Sequence, residues 1–530
     1  MIVKDSSLVT LKEIFHAFPT RTPHRFQHIQ QCLNNQVWND GKDLLINAND
    51  GFASEIFSSF SIEHLISLDG YFGPPEKASP KEMLAPIVLV PKTLICCKKP
   101  IAIDSRHADV VIYTDEGMKK GMSFHGVCKT CKNSFYSGFI HNKSQNVRSF
   151  LESDIFIIGS GIGFSSEFLR RTSYSVYVGA VSFETCAEIY NSIHALMNTD
   201  TSMNPDRLET GLLLFQIVKF VKNVEWHRKE KSKEIDLERI AEQQYPIIRD
   251  IIDTKWISHS CNDVGCRNRF IVLDGNEKLY RLKCDEDGCI NNPIRGNQFG
   301  SASTKCAAHN TINAGKNKKL KLDNERLELR PITRSMTGIS DILTSGEGCK
   351  EESTVTKYHD RSAGMIYIFR PCGIRLTHCE MITHESLTQI FKALVHCFGK
   401  QPTKEILRGI IYDRSCDLKP FLDRLGRNGD DIAQYYASLE FIVDIFHVEK
   451  HTLPKCTLGN PECAYHPHLP EFQYLRGVNT EVAEQSFHKL NKHKSSTRKM
   501  CYAKRLLHMK FLDNVVNENW VLKHSKNAIA

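Results

Sequence analysis

The sequence predicts an α/β protein, a mixed β-sheet core preceded by a helical region and a small cysteine-rich β domain. Three observations predict it. Apolar runs end on aspartate at Arg269 to Asp274, Ile410 to Asp413 and Phe441 to Asp444, as buried strands with an acid at their mouth do. Between them Leu387, Ile390, Phe391, Leu394, Val395 and Phe398 recur at helical spacing, with Gly399 as a stop. Upstream, Cys96, Cys97, Cys128 and Cys131 fall among short strand-like runs.

The chain has 530 residues, which suits about three domains. Its net charge of +8 fits a nucleic-acid partner without demanding one. No apolar run approaches the roughly 20 residues that span a bilayer, so no membrane is expected. The first residues do not read as a signal peptide. The 19 cysteines are therefore expected to stay reduced, as metal ligands or core residues rather than disulfides.

Residues 1–90 read as helical. Leu8, Leu11, Ile14 and Phe15 form one apolar stripe, and Phe26, Ile29 and Leu33 another, before a loop at Gly73-Pro74-Pro75. Residues 91–190 read as a zinc-ribbon-like domain. The spacing of Cys128 and Cys131 lets two thiolates from one turn reach a single zinc, with Cys97 or its neighbour Cys96 as further ligand and His107 or His125 able to complete the set. The alternative is a degenerate ribbon held by packing. Strands are expected at 87–90, 110–113, 156–158 and 176–178, and a helix from Phe183. Residues 191–260 read as a helical connector with Leu212, Leu213, Phe215, Ile217, Val218 and Val221 on its core face.

Residues 261–515 read as the core, with a Cys/His insertion at 284–364 and a tail at 516–530. Strands are expected at 269–274, 278–282, 365–369, 410–413 and 441–444. Helices follow the third, fourth and fifth, the last beginning near Asn479. Three strands, then helix, strand, helix, strand, helix is the ribonuclease H-like order. In it the first and fourth strands are neighbours, so Asp274 and Asp413 would project side by side. Glu481 and Glu484 share roughly one face of the later helix and could bring a third carboxylate over them. Three converging carboxylates repel unless cations sit between them. Two magnesium or manganese ions about 4 Å apart would activate a water or a 3′-hydroxyl at a phosphodiester. The competing reading is that these aspartates cap helices or face solvent. Asp444, on the fifth strand, is read as structural.

These residues resemble those of the Kyakuja–Dileera–Zisupton (KDZ) transposases. Leu273 to Leu279 resembles their first catalytic motif, and Tyr412-Asp413-Arg414-Ser415-Cys416 their Tyr-Asp-x-x-Cys motif. Asp444 to His451, with Cys456 beyond, is similar to their His-x-x-x-His and Cys segment, and Glu481 to Glu484 to their final Glu-x-x-Glu. Cys96, Cys97, Cys128 and Cys131 resemble the cysteine clusters that accompany them. The resemblance implies a DDE-type transposase. Its acids would be Asp274, Asp413 and Glu484, with Glu481 as the alternate third. Glu484 is preferred because the family places a polar or basic residue after the second glutamate, and Gln485 stands there.

Two further clusters suggest structural zinc. Cys284, Cys289, Cys306 and His309 lie in the insertion, which has too little apolar content to order itself, and Cys261 with Cys266 could replace either pair. His447, His451 and Cys456 crowd a second segment, with Cys463, His466 and His468 beyond. The cations Lys489, Lys492, Lys494, Arg498, Lys499 and Arg505 follow the third acid, where DNA phosphates would pass, although a solvated helix face explains them as well. The expected activity is metal-dependent DNA strand cleavage and transfer. The alternatives are a domesticated, inactive DNA- or protein-binding zinc protein and a metal-dependent nuclease. The expected partner is DNA, with self-association allowed, and the substrate implies a nuclear location.

Overall fold

The computed structural model describes residues 87–527, apart from 94, 105, 160, 196–201, 230–233, 285–290, 294–304, 307–360, 382–384 and 449–463. The helices expected before residue 87 lie outside these residues. The chain divides into two compact units, one of residues up to 175 with 183–240, the other of 176–182 with 241 onward.

The first unit holds two sheets. Strands β1 (Ile87–Leu89), β5 (Ala108–Thr114), β6 (Gly117–Ser123), β11 (Ile155–Gly159) and β12 (Ile162–Ser165) pair in the order β1-β6-β5-β12-β11. Short strands β4 (Ala102–Ile103), β7 (Gly126–Val127), β8 (Ser134–Phe135), β9 (Phe139–Asn142), β10 (Val147–Phe150) and β13 (Asn223–Glu225) form the second sheet. A separate hairpin joins β2 (Ile95–Cys96) to β3 (Lys99–Pro100). Leu89, Val110, Ile112 and Ile157 from one sheet and Phe139 from the other share a core. Helices α1 (Ser166–Tyr177), α2 (Phe183–Ala195) and α3 (Pro205–Val218) follow. The strand expected at 176–178 is instead the end of α1. Leu169, Val176 and Tyr177 are buried at helical, not alternating, spacing. Of the connector expected at 191–260, α3 and β13 belong to the first unit, and helix α4 (Leu237–Ile257) runs into the second.

The second unit is organised by a five-stranded mixed sheet. Its strands are β14 (Phe270–Asn276), β15 (Gly364–Phe369), β16 (Arg375–Met381), β17 (Gly409–Ile411) and β18 (Glu440–Ile442), in the spatial order β16-β15-β14-β17-β18. β15 runs antiparallel to β14 and β16, while β17 lies parallel to β14 and β18. A short helix α5 (Val264–Arg267) leads into β14. Helices α6 (Leu387–Phe398), α7 (Ser415–Arg427), α8 (Asp431–Ala437), α9 (Ile445–Val448), α10 (Val482–Leu490), α11 (Lys494–Thr497) and α12 (Tyr502–Asn527) complete the unit. α6 starts where Ser386 accepts the Gln389 N–H and stops at Gly399, whose φ of 82° a side chain would resist.

One expected strand is absent and another takes its place. Residues 278–282 form no strand and make only an isolated bridge between Leu282 and Arg361. The second strand in sequence is β15, and the third is β16, which the apolar pattern concealed. Arg375, His378 and Glu380 of β16 are buried because each has a charged partner. Arg375 Nη1 and His378 Nδ1 meet the Asp513 carboxylate of α12 at 3.3 and 2.7 Å. Asn517 brackets the same strand, accepting from the Arg375 N–H and donating to its carbonyl. Glu380 receives a two-pronged contact from Arg281, at 3.1 and 3.2 Å, and a further one from Arg505. Burial alone would raise the Glu380 pKa, but the two guanidiniums hold it below the usual carboxylate range.

Removing Glu380 strands two buried guanidiniums. We expect Glu380→Ala to destabilise the second unit by about 3–5 kcal/mol, read as a lower urea midpoint. Glu380→Gln, which keeps the shape but not the charge, should recover only part of this.

Candidate functional site

Among the described residues, one constellation of chemically capable side chains forms in the first unit and two form in the second, one of thiols with a histidine and one of carboxylates. In the first unit the sulfurs of Cys96, Cys97, Cys128 and Cys131 all lie within 4.8 Å of one another. The adjacency of Cys96 and Cys97 is explained by the β2–β3 hairpin. Its two turn residues, Cys97 and Lys98, have φ of 52° and 60°, so both thiols curl to the same side. Cys128 and Cys131 sit on a second turn, closed by the Lys132 N–H on the Cys128 carbonyl at 2.9 Å. Cys96 Sγ stands 3.7 Å from Cys97 Sγ and 3.5 Å from Cys131 Sγ. Two sulfurs on one tetrahedral zinc sit about 3.8 Å apart, given Zn–S of about 2.3 Å. The backbone N–H of Cys131, then that of Thr130, bond the Cys128 sulfur and pull its thiol down to about 6, which favours the ligating thiolate. This cysteine cluster can hold a metal such as zinc. His107 and His125 take no part. His107 pairs with Asp109 and His125 stacks on Tyr136.

In the second unit, carboxylate oxygens of Asp274, Asp413 and Glu385 all lie within 4.8 Å of one another. The register produces the first pair. Val272 of β14 is opposite Ile411, the last residue of β17, and each aspartate lies two residues further on, Asp274 within β14 and Asp413 in the turn just past β17. The register has a steric key as well: Phe270 lies opposite Gly409, where a Cβ would collide with its ring. The Gly275 and Arg414 N–H groups each donate to the aspartate before them at 2.7 Å and fix its rotamer. Glu385 arrives from the residue before the N-cap of α6, and the Tyr412 hydroxyl donates to it at 2.5 Å. Its carboxylate approaches Gly275 so closely that any side chain there would collide with it. Burial, then the charges of Asp413 and Glu385, push Asp274 well above the usual carboxylate range. Burial, then Asp413, push Glu385 up to about 7.

The sequence alone does not single out Glu385. Its local signal is an acid directly before a Ser N-cap, at the positive end of a helix. Glu484, the acid expected third, is outside this close set. It stands on the first turn of α10, about half exposed, with Oε1 3.9 Å from His447 Nε2. It remains near enough to raise Asp274 electrostatically. Glu481 is the N-cap residue of α10 and does not join. Asp444 is buried, accepting from Thr480 Oγ1 at 3.0 Å and lying 3.2 Å from His447 Nδ1, which ties the start of α9 to the approach to α10.

The remaining expected ligands are only partly described. Cys284 and Cys306 are buried together, with the Cys306 N–H 3.3 Å from Cys284 Sγ. Cys289 and His309 lie outside the described residues, as do His451, Cys456 and Cys463. Cys261 and Cys266 do not join the insertion, and lie instead near His259 and Cys372. Among the expected DNA contacts, Lys489, Lys492, Arg498 and Lys499 are exposed and Lys494 half-buried. Lys494 and Arg498 lie over the Tyr280 ring. Arg505, expected among these contacts, is not one of them. It is 1% exposed and bound to Glu380 and the Leu279 carbonyl, so it cannot reach a phosphate.

Residues 83–194 match the family model of a CxC5 like cysteine cluster associated with KDZ transposases, which bears out the resemblance seen in the sequence. No curated protein and no solved structure matches the chain. Among the described residues no helix is long and apolar enough to cross a membrane.

The raised Glu385 pKa gives a pH dependence with a definite sign. Its proton is held more tightly in the folded chain than at the ordinary value of 4.5, so this stabilisation is full below pH 4.5 and is lost as pH rises to about 7. Glu385→Gln should therefore raise the melting temperature of the chelator-treated chain by a few degrees at pH 8 and change it little at pH 5, measured by calorimetry.

Proposed function

We propose that the second unit is a ribonuclease H-like core of the DDE type and that the chain is a transposase or derives from one. The reading rests above all on Asp274 and Asp413, brought level by the register of the adjacent parallel strands β14 and β17, Asp413 just past the end of its strand, and met there by a third carboxylate. The spatial order third-second-first-fourth-fifth, with only the second strand antiparallel to its neighbours, supports the same topology. The cysteine cluster of the first unit adds the association with KDZ transposases.

Asp274 and Asp413 would hold divalent magnesium or manganese, with Glu385 beside them and Glu484 able to swing in from α10. All are hard oxygen donors, which suits these cations. When bound, such ions lower the pKa of a nucleophilic water or 3′-hydroxyl and stabilise the leaving oxygen at a phosphodiester. The chain's own residues orient the acids. The Gly275 and Arg414 N–H groups fix the aspartates, and the Tyr412 hydroxyl holds Glu385. The exposed cations Lys489, Lys492 and Lys499, just beyond Glu484, would track the DNA backbone. Action on chromosomal DNA would place the protein in the nucleus.

The test is metal-dependent nicking and strand joining on duplex DNA. Asp274→Ala and Asp413→Ala should each lower the rate about a thousandfold or more while leaving DNA binding intact. Glu484→Ala and Glu385→Ala, assayed in parallel, identify which glutamate completes the set. Binding without cleavage in the unmodified chain would overturn the enzyme and support a domesticated DNA binder. The half-exposed Glu484 favours that second reading. Separately, Lys489→Ala with Lys492→Ala should weaken binding similarly for all DNA sequences and reduce the salt slope by about 2, one for each phosphate left unneutralised.

A further inference from the structure

The residues that lead into β14 contain a second set of thiols that the acid site does not use. His259 follows α4, Cys261 lies in the next loop, Cys266 sits in α5, and Cys372 occupies the turn between β15 and β16. One ligand atom from each lies within 4.8 Å of all the others. Cys372 Sγ stands 3.5 Å from His259 Nε2. Two ligands of a tetrahedral zinc, with Zn–S of about 2.3 Å and Zn–N of about 2.0–2.1 Å, stand about 3.6 Å apart.

Three features of the surroundings point to bound metal rather than to thiols filling a core. Each sulfur accepts a backbone N–H: Cys261 from Asp263, Cys266 from Cys372, and Cys372 from Ile374. Without a metal, burial still raises the Cys261 thiol and the Cys266 sulfur raises that of Cys372, so the role of these N–H groups is to orient the sulfurs, as the outer contacts of metal ligands do. The four side chains are not all buried. Only Cys266 is, and the others are half-buried, so an ion can reach them from solvent. Arg370 supplies the third feature. Its guanidinium is fully buried and donates to the carbonyls of Ile257, Phe270 and Ile406, while its Nε has no hydrogen-bond partner. Among the described residues no carboxylate pairs with it. Burial lowers the Arg370 pKa, and the sulfurs of Cys266, Cys397 and Cys372 oppose that shift. Zinc with three thiolates and a neutral imidazole carries a net charge of −1, the counter-charge that a buried guanidinium requires.

We propose that His259, Cys261, Cys266 and Cys372 form a structural zinc site that ties the approach to β14 to the β15–β16 turn. Cys372 lies beyond the Phe369 end of β15, and Phe369 pairs with Arg375 next to the Val272 register of β14. The site therefore clamps the end of the sheet opposite the aspartates. It fixes the start of the strand that carries Asp274 without touching the acids. The proposal does not depend on the DNA-cleaving reading and holds for a binder as well.

The full-length chain, isolated without added reductant, would be alkylated under native conditions, and the labelled cysteines mapped by mass spectrometry. Parallel samples would receive a zinc chelator, a reductant, or neither. Buried Cys397 is the control. The expected result is joint protection of Cys261, Cys266 and Cys372, with labelling rising about tenfold or more on chelation while Cys397 stays protected. Three results would overturn the site: release only by reductant, which identifies a disulfide; labelling without either treatment; or chelation without effect. Zinc analysis adds a second arm. Cys372→Ser should lose one zinc per chain relative to the unmodified protein, independently of the zinc lost on Cys131→Ser. An unchanged zinc content would overturn the site. If Cys372→Ser does not fold, the alkylation map of the unmodified chain decides.

Discussion

The approach of three carboxylates to within 4.8 Å of one another constrains everything around them in the second unit. At that distance two unit charges repel by about 3 kcal/mol at an effective dielectric near 20. A soft scaffold would let them part. This one does not, because each acid is fixed by covalent structure and local hydrogen bonds. Parallel pairing of β14 with β17 sets two of them at the same level, and their own following N–H groups lock the side chains. Glu385 is carried in by the start of α6, and Gly275 leaves the space it needs. Burial first, and this repulsion after it, hold the Asp274 and Glu385 carboxyls above the usual range, so protons relieve the repulsion in the metal-free chain. A divalent cation would relieve it in the same place.

The far edge of the same sheet is stabilised by the opposite arrangement. There charges of unlike sign are paired inside, with Glu380 between Arg281 and Arg505 and Asp513 between Arg375 and His378. Lys510 of α12 also reaches Asp253 of α4, and Thr377 of β16 donates to the same carboxylate. Buried ion pairs add little net stability over apolar packing, but they are intolerant of misalignment. They fix the register of β16 against α12, and through β15 the position of β14. The basic residue Arg505 is thereby consumed by the fold, while its neighbours Lys492 and Lys499 stay in water.

The cysteine clusters address a different physical problem. The hairpin β2–β3, with two residues in each strand, and the turn at Cys128 to Cys131 bury little apolar surface. Segments of that size need a cross-link to stay ordered. Four sulfurs from two turns are gathered closely enough for one ion to supply it, and the left-handed turn at Cys97 and Lys98 makes adjacent cysteines usable as a pair.

Much of this was legible in the residues alone. Apolar runs ending on aspartate located β14, β17 and β18, helical periodicity located α6, and cysteine spacing located the first cluster. These are local signals, carried by residues a few positions apart. β16 was not legible, because Arg375, His378 and Glu380 look exposed until Arg281, Arg505 and Asp513 arrive from elsewhere in the chain. Glu385 was not legible either, because nothing near it in sequence shows that β14 and β17 end beside it. The partners of Cys261 and Cys266 were hidden for the same reason, since Cys372 is over a hundred residues away. The sequence by itself determined the apolar strands β14, β15, β17 and β18 and which thiols and acids exist. Only the tertiary structure decided which of them meet, because proximity across a sheet depends on strand order and register, and neither is written in any one segment.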